Sequence, residues 1–178
     1  MYLVILRGLP ASGKSTWVRS QGLSQYVVSS DALRLLCGNA TFNVQGWVDI
    51  AQTHQPAVWD IVYKVVEMRL RRRMFTVLDT TCIRLRDLRS WVSLARSFGV
   101  IPVVVDFTGV PEAECRERDR ARVLKNEPCA GTVTLDRMAS RLETSRSAVE
   151  DFLCKESVQV FTPGAASSWL PNLRGRLG

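Results

Sequence analysis

The sequence predicts an α/β fold, a central parallel sheet of four to five strands flanked by helices on both faces. Three observations predict it. Apolar runs of strand length alternate with stretches of helical periodicity along the chain. Those runs are apolar on both sides of the pleat, as strands covered on two faces must be. Finally, residues 8–16 read Gly-Leu-Pro-Ala-Ser-Gly-Lys-Ser-Thr and fit G-x-x-x-x-G-K-[ST] without a mismatch. They follow the first strand-like run and open the first helix, the context that this phosphate-binding loop (P-loop) requires.

The elements follow in order. Residues 2–7 form the first strand and residues 14–20 its helix. Residues 26–30 form the second strand, leading into a short helical turn at 31–37. Residues 38–46 are turn-like, with Asn39, Thr41 and Asn43. A long helix is expected over 47–72, with Ile50, Val58, Ile61, Val62, Val65 and Leu70 at helical spacing and Pro56 as an interruption. A third strand covers 74–79, a helix 84–98 ends at Gly99, and residues 101–107 make the most β-branched strand. Helices at 111–122 and 132–153 flank a stretch bearing Pro128 and Gly131. A last strand lies at 157–161. Residues 163–178 are expected as a loosely ordered tail on which Trp169 and Leu170 can dock.

Composition narrows the class. The 178 residues have mean hydropathy near zero, which suits one domain with a sizeable core. No apolar run approaches bilayer length and no charged leader precedes an apolar stretch, so a soluble, cytoplasmic protein without a membrane partner is expected. Cys37, Cys82, Cys115, Cys129 and Cys154 are widely spaced and form no C-x-x-C pair. Reduced thiols are expected rather than a disulfide framework or zinc site. His54, the single histidine, cannot build a metal site alone. The net charge of +7 favours phosphate-rich ligands without separating nucleotide from nucleic acid.

Each motif has a chemical reason. Gly8 and Gly13 let successive amides face one centre at a helix N-terminus, an anion nest. Lys14 adds a point charge for the β- and γ-phosphates, and the Ser15 hydroxyl suits Mg²⁺. A nucleoside triphosphate is therefore expected over Gly8, Ala11, Ser12, Gly13, Lys14, Ser15 and Thr16. In an open parallel sheet ligands sit beyond the carboxyl ends of the strands. That rule selects Ser29 to Arg34 after the second strand and Asp79 to Cys82 after the third. Asp31 and Arg34 are three apart and share a helical face, one as a base and the other as an anion grip. Asp31 is equally a helix cap with Arg34 as its surface partner, and position alone leaves both readings open. Asp79 ends an apolar strand in the manner of a Walker B aspartate, or as a turn residue. Thr80 and Thr81 suit a phosphate or a cap. Arg116, Arg118, Arg120 and Arg122 crowd one helix, but only Arg118 and Arg122 share a face at i, i+4. They and the Pro/Gly stretch after them suit a lid over the triphosphate. Arg69, Arg71, Arg72 and Arg73 end the long helix, where its dipole favours cations.

Taken together, Gly-Leu-Pro-Ala-Ser-Gly-Lys-Ser-Thr-Trp at 8–17, Ser-Ser-Asp-Ala-Leu-Arg at 29–34, Asp79-Thr80-Thr81-Cys82 and Cys115-Arg116-Glu117-Arg118 resemble the 5′-OH polynucleotide kinase domain of phage and bacterial end-healing enzymes. The resemblance spans about residues 1–125 in order and spacing. It implies a P-loop kinase fold over 1–162, with a lid at about 116–131. The implied reaction moves the γ-phosphate of ATP or GTP, with Mg²⁺, to a 5′-OH end of DNA or RNA. In that reading Lys14 and Ser15 bind the donor phosphates and metal, with Asp31 and Asp79 near the ion. Asp31 is the general base, and Arg34 holds the phosphate of the acceptor's terminal nucleotide. Asp79 and Thr80 line the acceptor side, and Arg118 and Arg122 reach the triphosphate. The family usually has asparagine where this chain has Cys82. Small-molecule P-loop kinases also carry an Asp after the second strand, so a small hydroxylated acceptor is the alternative. A non-catalytic nucleotide-binding module is the third reading.

Overall fold

Five strands make one parallel sheet: β1 (Tyr2–Arg7), β2 (Val27–Ser29), β5 (Thr76–Asp79), β6 (Ile101–Asp106) and β7 (Gln159–Phe161), in the order β2-β5-β1-β6-β7. The computed structural model describes residues 1–38, 40–42, 48–50 and 55–170. Within it a separate antiparallel hairpin joins β3 (Ala40–Phe42) to β4 (Val48–Ile50). The helices are α1 (Lys14–Ser20), α2 (Ser30–Cys37), α3 (Gln55–Arg71), α4 (Leu85–Ser97), α5 (Glu112–Leu124), α6 (Thr132–Lys155) and α7 (Pro163–Trp169).

β1 is central because Leu3, Val4, Ile5 and Leu6 are all fully buried, and only a middle strand covered on both faces can bury four successive side chains. Leu3 and Ile5 join Val28, Leu78 and Val104 against α3, α4 and α6. On the other face Val4, Leu6, Val77 and Val105 pack on Trp17 and Val18 of α1 and on Ala166 and Leu170. A smaller cluster of Leu9, Ile83, Cys115 and Leu142 ties the P-loop to the loop after β5, to α5 and to α6. With β2 and β5 on one side of β1 and β6 and β7 on the other, the chain leaves β1 toward one edge of the sheet and later leaves β6 toward the other. The cleft therefore forms at the carboxyl ends of β1, β2 and β5.

Several expected boundaries shift for physical reasons. α3 starts at Gln55, not 47, so Pro56 sits in its first turn, where a missing N–H costs nothing. Residues 48–50 are strand, and the turn-like 38–46 contributes β3; Asn39, Asn43, Trp47 and His54 lie outside the described residues. β5 begins at Thr76 rather than Met74. Arg69 reaches back from α3 to donate to the Phe75 carbonyl (2.9 Å) and the Thr76 hydroxyl (3.1 Å), fixing the entry to the strand.

The tail departs furthest from expectation. Residues 163–169 are helix rather than loose chain. Thr162 caps α7 by accepting from the Ala165 amide, and Pro163 opens the first turn. Trp17 Nε1 donates to the Pro163 carbonyl and to Ser167 Oγ, each at 3.0 Å. Trp169 meets Tyr2 edge-on and stacks on Phe161, and Leu170 is buried. Trp169 and Leu170 thus dock; residues 171–178 lie outside the described residues. All five cysteines are free thiols. Among the described residues no helix is long and apolar enough to cross a membrane.

Candidate active site

The P-loop is built by two close approaches. Gly8 has φ +153°, and a Cβ there would lie 2.8 Å from Phe107 Cβ, so no larger residue fits. Its amide donates to the Thr81 carbonyl (2.9 Å), joining the loop to the end of β5. Gly13 has φ +95° and turns the chain into α1, whose first amides then face the loop's centre. Ala11 also takes a left-handed conformation (φ +59°), and Ser12 is buried beneath it. Thr16 is exposed, and its hydroxyl accepts from Arg19.

Lys14 is folded onto its own loop. Its Nζ donates to the Leu9 carbonyl (2.6 Å), the Gly8 carbonyl (3.0 Å) and Ser12 Oγ (3.3 Å). Burial lowers its pKa to about 8, against the opposing pull of Asp79 and Asp31. Beside it, Ser15 Oγ donates to Asp79 Oδ2 at 2.7 Å. Burial raises the Asp79 carboxyl above its ordinary value, although the Ser15 hydrogen bond and Lys14 pull it back. Thr80, next in the chain, is buried, and its Oγ1 has no hydrogen-bond partner among the described residues.

Asp31 is not the N-terminal cap of its helix. The N-cap of α2 is Ser29, whose hydroxyl accepts from the Ala32 amide (3.3 Å). Asp31 is the second residue of α2, in its first turn, with its carboxylate accepting from Arg34 Nη1. Its side chain is 67% exposed, and its charge is felt at both Lys14 and Asp79. Arg34 is 11% exposed, lies within 3.4 Å of Ser30 Oγ and stands over the Trp59 ring.

α5 divides its arginines. Arg118 Nη1 lies 3.5 Å from where a Gly13 Cβ would be, and the charge of Arg122 is felt at Lys14 and Asp79. Arg118, which also pairs with Glu114, thus reaches the P-loop, and Arg122 lies within electrostatic range of it. Arg116 points away, pairing with Glu112 and with Asp136 of α6. Cys115, on the P-loop side, is buried and its thiol is raised by that burial. Cys82, where the related pattern has asparagine, takes φ +41° and is buried among apolar side chains, which push its thiol to about 12. Asparagine tolerates this backbone region better than most residues. The thiol serves here as neutral packing.

Sequence reasoning missed three supports. Arg7 is buried and donates to Asp106 Oδ2 (2.8 Å), while Asp106 Oδ1 accepts from the Thr108 amide, bracing the ends of β1 and β6 beneath the P-loop. The signal was there: each ends an apolar strand with a charge. Asp119, buried within α5, accepts from the Ala130 and Gly131 amides (2.8 and 2.9 Å) and so clamps the α5–α6 connection. The third support is Trp59, under Arg34.

A five-stranded parallel sheet closed by this loop, with a serine–aspartate pair and nearby arginines, defines a P-loop protein of the kinase class. Residues 3–145 match the family model described as AAA domain, and the chain belongs to that family. It is similar in structure to a chain of the Pnkp1/Rnl/Hen1 RNA repair complex, with TM-score 0.66 and 21% identity, covering 83% of this chain and 45% of that one. It is also similar to a putative kinase from Chloroflexus aurantiacus (TM-score 0.61, 15% identity, 96% and 97% covered). A third likeness is Kti12 of Chaetomium thermophilum in complex with ADP-AlF3 (0.55, 19%, 78% and 79%). At these identities the likenesses show the fold. The chain spans less than half the length of the RNA repair chains it matches. A search of the curated proteins gave no match.

Proposed function

We propose that this chain is a polynucleotide 5′-kinase, transferring the γ-phosphoryl group of ATP or GTP to the 5′-hydroxyl end of DNA or RNA. The observation that carries the reading is the placement of an Asp31–Arg34 pair on the first turns of α2, with the Asp31 charge within reach of Lys14 and Asp79. A donor site alone needs no such pair; an acceptor bearing both a hydroxyl and an adjacent anion does.

The donor triphosphate lies in the nest of residues 8–16, with Lys14 leaving its loop carbonyls for the β- and γ-phosphates. Arg118 and Arg122 approach from α5 and offset charge on the transferring group. Arg34 takes the acceptor's first phosphate. Asp31 is then left to accept the 5′-hydroxyl proton as the new O–Pγ bond forms and the bond from Pγ to the β,γ-bridging oxygen breaks, releasing the nucleoside diphosphate. Most of the barrier falls through alignment and charge stabilisation.

Ser15 and Asp79 fit a magnesium ion. A hydroxyl and a carboxylate stand 2.7 Å apart at the mouth of the nest, and no group of three or more metal-ligating side chains occurs among the described residues. That suits a cation which takes one or two protein oxygens and leaves the rest to phosphate and water. Asp31 is not part of this hydroxyl–carboxylate pair, so we assign it to the proton and not the metal. Bound there, the ion supplies neutralisation of charge on the phosphates.

The test is label transfer from γ-labelled ATP to a short 5′-OH oligonucleotide by wild type and by Asp31→Asn. The expected result is labelled 5′ ends with wild type and a loss of at least about a hundredfold in the variant, in the range of general-base removal. Transfer to small hydroxylated compounds but to no nucleic-acid end would replace this reading with the small-molecule alternative.

A further inference from the structure

We propose that Trp59 is a positioning residue for the acceptor: its indole face holds the Arg34 guanidinium in the orientation that grips the acceptor's first phosphate. The inference rests on the polynucleotide reading above and assigns a role to a side chain outside the recognised motifs.

Arg34 stands on α2, an eight-residue helix beside the edge strand β2. A long side chain on such an element samples many rotamers, so a phosphate grip there needs something to restrict it. Three contacts among the described residues contribute to this. Ser30 Oγ lies 3.4 Å from Nη1, the Asp31 carboxylate accepts from the same nitrogen, and the guanidinium carbon stands 5.9 Å from the Trp59 ring centroid. Ser30 and Asp31 belong to α2 itself and move with it. Trp59 is the contact among these three that comes from a different element, and that element is rigid. α3 is anchored to the sheet by Val58, Val62, Val66 and Leu70, all 3% exposed or less.

Trp59 itself is 36% exposed, which argues against a packing role. The core on this face is made by the Val58–Val62–Val66–Leu70 stripe, one position round the helix. A tryptophan left a third open in the same cleft as Asp31 is instead placed to meet a cation on its face. The pairing also orders events. Before the acceptor arrives Arg34 bonds Asp31; when a phosphate takes over the guanidinium, the ring keeps the side chain in place while the Asp31 carboxylate is released to the hydroxyl.

A phosphate-specific readout tests this. Two 5′-OH oligonucleotides are compared, one natural and one with an uncharged methylphosphonate at the first internucleotide linkage. Wild type should prefer the charged linkage, and Arg34→Ala should abolish that preference. Trp59→Leu should raise KM for the natural acceptor by about three- to tenfold, the range of a partly desolvated cation–π contact, and shrink the preference. KM for ATP should stay unchanged, as should the KM for the methylphosphonate acceptor. Trp59→Phe, which keeps an aromatic face, should restore most of the preference. A Trp59→Leu enzyme that keeps the full wild-type preference overturns the proposal while leaving the kinase reading intact. Equal losses on both acceptors, or a raised KM for ATP, mark Trp59 as structural and also overturn it. A wild type that phosphorylates neither oligonucleotide sinks the kinase reading and the proposal with it.

Discussion

Lys14 shows how much of the chemistry resides in single side chains. Its ammonium is satisfied by three acceptors of its own loop, yet burial brings its pKa from 10.5 to about 8. A bound triphosphate favours the charged form and raises that value. Nucleotide binding should therefore take up a proton above about pH 8 and none from this group near pH 6.5. Calorimetry in buffers of different ionisation enthalpy reads the uptake, and Lys14→Met should abolish it. The same shift has a stability sign. Between about pH 8 and 10.5 the unfolded chain keeps a proton that the folded one has released, so folding becomes more favourable as pH rises through that window. Relative to Lys14→Met, nucleotide-free wild type should gain up to about 3 kcal/mol there, at 1.36 kcal/mol per pKa unit. At Gly8, a Cβ 2.8 Å from Phe107 should cost about 1–3 kcal/mol in denaturant unfolding of Gly8→Ala. The glycines and Lys14 were legible because their spacing is dictated by phosphate geometry. The Arg34–Trp59 contact was not: its partners are 25 positions apart in sequence, and nothing in a helical tryptophan says which face it presents.

At the level of elements, the α5–α6 connection is held by one carboxylate. Asp119 accepts from two backbone amides at the N-terminus of α6, which aligns it with that helix's dipole as well. Asp119→Ala strands two amides and should cost about 2–4 kcal/mol by urea denaturation, with Asp119→Asn between it and wild type. Because Arg118 and Arg122 flank Asp119 on α5, the loss should also lower turnover of a bound nucleotide more than its affinity for the loop. Nothing in the sequence singles this aspartate out among the charged residues around it. Its true partners are 11 and 12 residues on, beyond any helical repeat. By contrast the placing of Arg118 and Arg122 on one face followed directly from the i, i+4 rule, and Arg118 Nη1 comes within 3.5 Å of where a Gly13 Cβ would lie. α3 shows the opposite case: its apolar spacing extended visually through Ile50, but Pro56 belongs to a first turn and Ile50 to a hairpin.

The whole molecule is a sheet whose two faces were plain from β1, β5 and β6, all of them apolar runs that need cover on both sides. The element least visible was α7, seven residues of Pro, Gly, Ala, Ser and Trp with no periodic apolar stripe. Docking supplies what propensity lacks: Trp17 bonds to it, Trp169 sits between Tyr2 and Phe161, and Ala166 and Leu170 complete the core on that face. Truncation after residue 162 should accordingly lower Tm by more than about 10 °C, since it removes the buried Ala166 and Leu170 and strands the Trp17 indole N–H. A loosely tethered tail would instead leave the melt unchanged.

The most direct measurement of the central claim is a competition. The enzyme is given MgATP and an equimolar mixture of a 5′-OH oligonucleotide, a free nucleoside and small polyols, and the products are resolved by mass spectrometry. The account requires the phosphate to appear at the 5′ end of the oligonucleotide, with little on the nucleoside, which lacks the anion for Arg34. Phosphate on the nucleoside or a polyol, with the oligonucleotide untouched, would contradict it.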